Sequence, residues 1–173
     1  VESSGTEVVI EGQRKLYLHT DGTLSYSGGA AEDGTLFAVA AADAAHISRA
    51  ELCAAARGLI GALTQGRIGD AALFLSGIES DDDNGATVFF DYMAGGTPIR
   101  FADGSHAAEV RIEGQSITAF SLRLRRYTLT ERDSLLLPLA LSRAIAQRYP
   151  GCELTVAYID SYGDSVGASW IAD

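Results

Sequence analysis

The residues from Ile78 to Gly85 read IESDDDNG, which places the carboxylates of Glu79, Asp81, Asp82 and Asp83 and the amide of Asn84 in one short stretch. Calcium takes several carboxylate and carbonyl oxygens from a flexible loop, so Glu79, Asp81, Asp83 and Asn84 are the candidate metal ligands of this chain. The spacing departs from the EF-hand loop: the glycine comes one residue late, and Phe90 stands where the bidentate glutamate belongs. Asn84-Gly85 is also a preferred turn pair between apolar strands. A hairpin connection is the stronger reading, and no metal or other cofactor is assigned.

Other stretches imitate chemistry less completely. Gly163-Asp164-Ser165-Val166-Gly167 matches the nucleophile elbow, but that turn needs a helix after the serine and a histidine downstream, and only six residues follow Gly167. Leu16 to Leu24 resembles the first motif of haloacid dehalogenase-type phosphatases, with His19 at the position of the nucleophilic aspartate. His19, His46 and His106 lack the spacing of a metal cluster. An enzyme of unrecognised type could arise where His106, Glu109 and Asp103 converge in space with residues elsewhere in the chain. Arg123, Arg125 and Arg126 form the one dense basic patch, and are the candidate partner-binding residues. On a strand, Arg123 and Arg125 would share a face, with Leu122 and Leu124 on the other.

Composition narrows the function classes. The chain has 173 residues, 47% of them hydrophobic, and only 3 prolines, which is enough to bury a sizeable core. Its net charge of −10 repels phosphate backbones, which argues against a nucleic-acid partner. Cys53 and Cys152 are too few for a disulfide framework. The longest apolar stretch, Leu135 to Ile145, is interrupted by Pro138, Ser142 and Arg143, so no segment reads as a bilayer span. The start at Val1 suggests a signal or anchor N-terminal to this sequence, which would be the chain's only tie to a membrane.

The elements that must position these residues read as a duplication. Asp21-Gly22-Thr23 and Asp103-Gly104-Ser105 lie 82 residues apart, as do the capping-box patterns Ser48 to Glu51 and Thr130 to Asp133. Leu73 to Ser80 lies against Leu154 to Ser161 at an offset of 81. The first unit reads as strands 7–10, 15–20 and 23–27, a helix over 48–63 and a hairpin of 72–78 with 86–92. The second reads as strands 106–112 and 116–127, a helix over 131–149 kinked at Pro138, and a hairpin of 154–160 with 166–171. The expected fold is α+β: two tandem β-β-α-β-β units, over 1–95 and 96–173, with mainly antiparallel sheets each packed against one helix.

From Ala86 onward the chain resembles the YycH/YycI-type regulatory proteins, accessory proteins of a bacterial envelope-sensing histidine kinase. The residues that carry this are Val88 to Tyr92, Gly96 to Ile99, Val110 to Ile117 around Gly114-Gln115, Tyr127, the following helix and the closing Ser169-Trp170-Ile171. The resemblance implies cystatin-like or PepSY-like modules in a membrane-anchored, extracytoplasmic domain. Such a domain is not an enzyme; it modulates a sensor histidine kinase, or meets a paralogous accessory protein, through protein contacts. A small-ligand or calcium-binding envelope module is the alternative function.

Overall fold

The computed structural model describes residues 5–28, 37–41, 47–80, 85–131, 134–149 and 151–172. In chain order its elements are β1 (Thr6–Glu11), β2 (Arg14–His19), β3 (Thr23–Ser27), α1 (Arg49–Thr64), β4 (Ala71–Ser80), β5 (Gly85–Ala94), β6 (Thr97–Phe101), β7 (Ala108–Glu113), β8 (Ser116–Arg123), α2 (Leu139–Ala146), β9 (Leu154–Asp160) and β10 (Gly167–Ala172).

The strands join in one mixed sheet in the order β1-β2-β3-β8-β7-β5-β6-β9-β10, with β4 paired to β5 off this path. Its long centre is β5, bordered along one edge by β4 from Ala71 to Ser80. The other edge is shared: β7 pairs with Gly85 to Phe90, and β6 takes over at Tyr92 to Ala94. Asp91 stands at the changeover. β6 then pairs in parallel with β9, while every other strand pair is antiparallel.

The first helix forms where the sequence places it. The Ser48 backbone N–H donates to Glu51 Oε2 at 2.8 Å, and the Glu51 N–H donates to Ser48 Oγ at 3.3 Å, so two donors at the helix start are satisfied reciprocally. Ala56 and Ile60 are buried, and Leu52, Leu59 and Leu63 pack beside them on Val88, Val110, Phe120 and Leu122 of the sheet. This is the larger core. A second cluster, around Tyr92, Ile99, Phe101 and Tyr127, lies where β5 meets β6.

The expectation of two β-β-α-β-β units, each with its own helix, is overturned. The described residues form one large sheet with two short helices, and β6 and β7 both pair with β5 instead of starting a separate unit. The helix expected over 131–149 is confined to Leu139–Ala146, because Pro138 lacks an N–H and holds the residue before it out of the helical region. It stands at the N-cap with φ −53° and ψ 137° and starts the helix instead of kinking one. The repeated turns are alike only locally. Gly22 and Gly104 have φ of 86° and 75°, and each donates its N–H at 3.0 Å to the residue three before it, His19 or Phe101. The first turn closes the β2–β3 hairpin; the second leads from β6 to a strand it does not pair with. No described helix is long and apolar enough to cross a membrane.

Candidate functional site

The seam on β5 gathers the first polar group of interest. Where β7 has left the ladder, the Asp91 carboxylate accepts the Ala107 N–H at 3.3 Å and takes over the place of a strand partner. It also accepts from His106 Nδ1 at 3.1 and 3.2 Å, although Asp91 is almost fully buried. A carboxylate at Nδ1 fixes the ring's orientation and leaves Nε2 on the opposite edge. The ring packs on Phe89 with centroids 4.6 Å apart. Ser76, the extra residue of the β4 bulge, brings its Oγ to 3.5 Å from the same Nδ1. Serine and aspartate therefore meet one nitrogen, whereas a nucleophilic triad needs them on opposite nitrogens. Asp91, Arg100, Phe101, His106, Ile159 and Ile171 line a cleft of about 460 Å³ beside the seam.

A second polar group ties the far strands to the end of β8. Asp160 is fully buried and accepts two bonds from Arg125, at 3.1 Å each from Nε and Nη2. It also accepts from Tyr127 Oη at 2.7 Å and from the Tyr162 N–H at 2.7 Å. Burial first, and the bond to Asp160 second, push the Tyr127 phenol far above the ordinary tyrosine range. Burial works against the charge of Arg125, but the attraction and hydrogen bond of Asp160 more than offset it, so its pKa is raised. Such a paired, fully hydrogen-bonded buried charge is costly to break.

Tyr162, with φ 64°, carries the network outward. Its Oη donates to Asp103 Oδ2 at 2.6 Å and meets Arg123 Nη1, and its ring stacks on Phe101 with centroids 5.7 Å apart. Bonds from Ser105 and Tyr162 hold the Asp103 carboxyl well below the usual carboxylate range. Tyr92 sits behind this group, donating to the Arg123 carbonyl at 2.8 Å. Burial pushes its phenol up to about 12.

The candidate residues from the sequence are thereby dispersed. Arg123 and Arg125 face the Tyr162 ring together and are engaged by Asp103 and Asp160, while Arg126 is exposed. His106 turns to Asp91, Asp103 to Ser105 and Tyr162, and Glu109 points outward, so that trio forms no site. Glu79 is exposed on β4; Asp81, Asp83 and Asn84 lie outside the described residues, as does His46. Among the described residues no group of three metal-ligating side chains comes together. Gly163 to Val166 connects β9 to β10, where the elbow would require a helix.

The remaining feature is apolar. α2 turns Ser142 toward the sheet, where its hydroxyl is buried without a partner, and exposes Leu141 and Ile145. Leu135, at 99% exposure, and Leu137 continue this surface through the lead-in segment. Trp170 Nε1–H donates to the Leu137 carbonyl at 2.8 Å and Ser134 Oγ accepts the Ala168 N–H at 3.3 Å, so the lead-in is held to β10. Residues 134–149 contain Arg143 and Arg148 but no acidic residue. No family model, curated protein or solved structure matches the chain.

The Asp91–His106 and Asp160–Arg125–Tyr127 groups were missed in the sequence because their members stand 15 to 35 positions apart. Only alternation offered a signal, by placing Arg123 and Arg125 on one face.

Proposed function

We propose that this chain is a non-enzymatic regulatory domain that acts by docking a partner protein, in keeping with its resemblance to the YycH/YycI-type proteins. The observation that carries the reading is the outward apolar face of α2 and its lead-in. A contiguous leucine surface of this kind on a soluble domain marks an interaction site. Its only formal charges are Arg143 and Arg148, on a chain whose net charge is −10. The matching partner surface is apolar and bordered by carboxylates. The occupant we assign is the extracytoplasmic domain of a sensor histidine kinase, at the bacterial cell envelope.

Calorimetry between the purified chain and the extracytoplasmic domain of a bacterial envelope-sensing histidine kinase tests this directly. Leu141→Glu and Ile145→Glu each put a carboxylate on the face while leaving the sheet untouched, and each is expected to weaken binding at least ten-fold. Binding that both variants retain in full would sink the assignment of the face. Binding to a paralogous accessory protein in place of the kinase would move the occupant. The alternative of calcium at Glu79 and its neighbours predicts that millimolar calcium raises the melting temperature, because a ligand of the native state alone must do so.

A further inference from the structure

We infer that the edge strand β1 receives an extended segment of a partner protein as a further strand. The segment carries a large apolar side chain opposite Val9 and a basic residue to either side of it. This surface is separate from the α2 face, and neither depends on the other.

The first observation is how differently the sheet's edges are finished. Among the described residues, β1, β4 and β10 each have a side with no neighbouring strand. β4 is broken by the bulge at Ser76, and its Ile78 carbonyl accepts from Arg49 Nη2 at 3.3 Å. β10 has its Ala168 N–H bonded to Ser134 Oγ, and the lead-in to α2 is tied to it through Trp170. β1 runs in unbroken register with β2, and Val8, Val9 and Ile10 are 45%, 57% and 63% exposed. An apolar edge of this kind offers main-chain N–H and C=O groups to an incoming strand.

The second is the cleft beside that edge. Val9, Leu16, Tyr26 and Phe120 stand in register across β1, β2, β3 and β8, and with Phe37 and Leu63 they line an apolar cleft of about 210 Å³. Facing residues of neighbouring strands bring their Cβ atoms to about 5 Å, so the residue set opposite Val9 by an added strand lies at this cleft. The volume is below that of small-molecule pockets, roughly 300–1,000 Å³, and suits a single large side chain. Residues to either side of that one turn to the other face, where Val8 and Ile10 favour apolar neighbours.

Charge selects the occupant. Val9 is flanked on its own face by the exposed Glu7 and Glu11, and β1 contains no basic residue. Opposite charges facing across a ladder stabilise it, and like charges destabilise it. A second copy of β1 brings two more carboxylates, on a chain whose net charge is already −10. Basic residues two before and two after the central apolar one instead meet both glutamates. Glu11 is also approached by Arg14 at 3.7 Å, so the larger charge effect belongs to Glu7.

The test is a titration of the ¹⁵N-labelled chain with the acetylated, amidated peptide Thr-Lys-Val-Phe-Val-Lys-Thr, and with its counterpart carrying Glu at both Lys positions. Saturable shifts over residues 6–11 and at Leu16 and Tyr26 are expected with the lysine peptide, and at least ten-fold weaker binding with the glutamate one. Val9→Lys is expected to weaken binding at least ten-fold while the amides of α2 and β9 keep their positions, a sign that the fold is intact. The double variant Glu7→Lys, Glu11→Lys should reverse the preference between the two peptides. Absence of saturable shifts at β1 with both peptides, equal binding of both, or binding that the variants leave unchanged would overturn the proposal. So would a dimer in sedimentation that Val9→Lys dissolves, since a second copy would then be the occupant of the edge.

Discussion

The two helices rest on the same sheet, but α1 buries apolar residues and a hydrogen-bonded threonine, Thr64, whereas α2 buries a serine alone. α1 has 16 residues, opens with a complete capping box and buries Ala56 and Ile60, while α2 has 8, opens at a proline with no side-chain cap and buries a serine whose hydroxyl finds no partner. The first is what an amphipathic helix does when the sheet beneath it is the only apolar surface on offer. The second leaves Leu141 and Ile145 in water, which costs free energy in an isolated chain at about 25 cal/mol per Å² of apolar area. α1 covers the larger core while α2 keeps its apolar side chains exposed, and the wings beneath them differ accordingly. Aliphatic and aromatic packing holds the wing under α1, whereas the wing of β6, β9 and β10 is tied in by the buried carboxylate of Asp160.

That contrast can be broken in a graded way. Asp160→Ala strands the Arg125 guanidinium and the Tyr127 hydroxyl in the interior, and is expected to cost roughly 3–5 kcal/mol in a denaturant titration. Ile60→Ala opens a cavity under α1, with an expected loss of roughly 2–4 kcal/mol by the same measurement. Tyr92, between the wings, tests the alkaline side. Its folded pKa of about 12 lies above the unfolded value of about 10, so its contribution is complete below pH 10 and lost as pH rises toward 12. Roughly 2–3 kcal/mol should disappear over that window, together with the appearance of tyrosinate absorbance. Ile145→Ala should change stability by less than about 0.5 kcal/mol, since the side chain already stands in water. A large loss there would mean that α2 is a core helix after all.

What could be read in the sequence was whatever is decided within a few residues. The Asp-Gly turns, the alternation of β7 and β8 and the cap of α1 all stand where local chemistry puts them. The likeness of the two Asp-Gly turns was also what misled, because a turn fixes the path of a few residues and not the strand that receives them. β6 went unread: Gly95-Gly96 and Pro98 break up the pattern on a five-residue strand that is recruited by β5 and β9. The helix of the second half was overextended because a proline was read as a kink in place of a start. The seam at Asp91 could not be read at all, since it exists only where β6 and β7 share one edge of β5.

The parallel pairing of β6 with β9 sets an order of events in time. Ile99 must wait for Tyr158, 59 positions later, before that ladder can close, whereas the hairpins of β1–β2 and β4–β5 are available as soon as each is synthesised. Closing a long loop costs entropy before any contact rewards it, so the β3–β8 ladder, whose partners Thr23 and Arg123 stand 100 positions apart, closes after the local hairpins, and so does the docking of the β9–β10 hairpin. Pulse-labelled hydrogen exchange during refolding should show its amides protected after those of β5 and β7; simultaneous protection would contradict this sequence. Until β9 docks, Asp160 is not in place, and Arg125 and Tyr127 remain without their buried carboxylate.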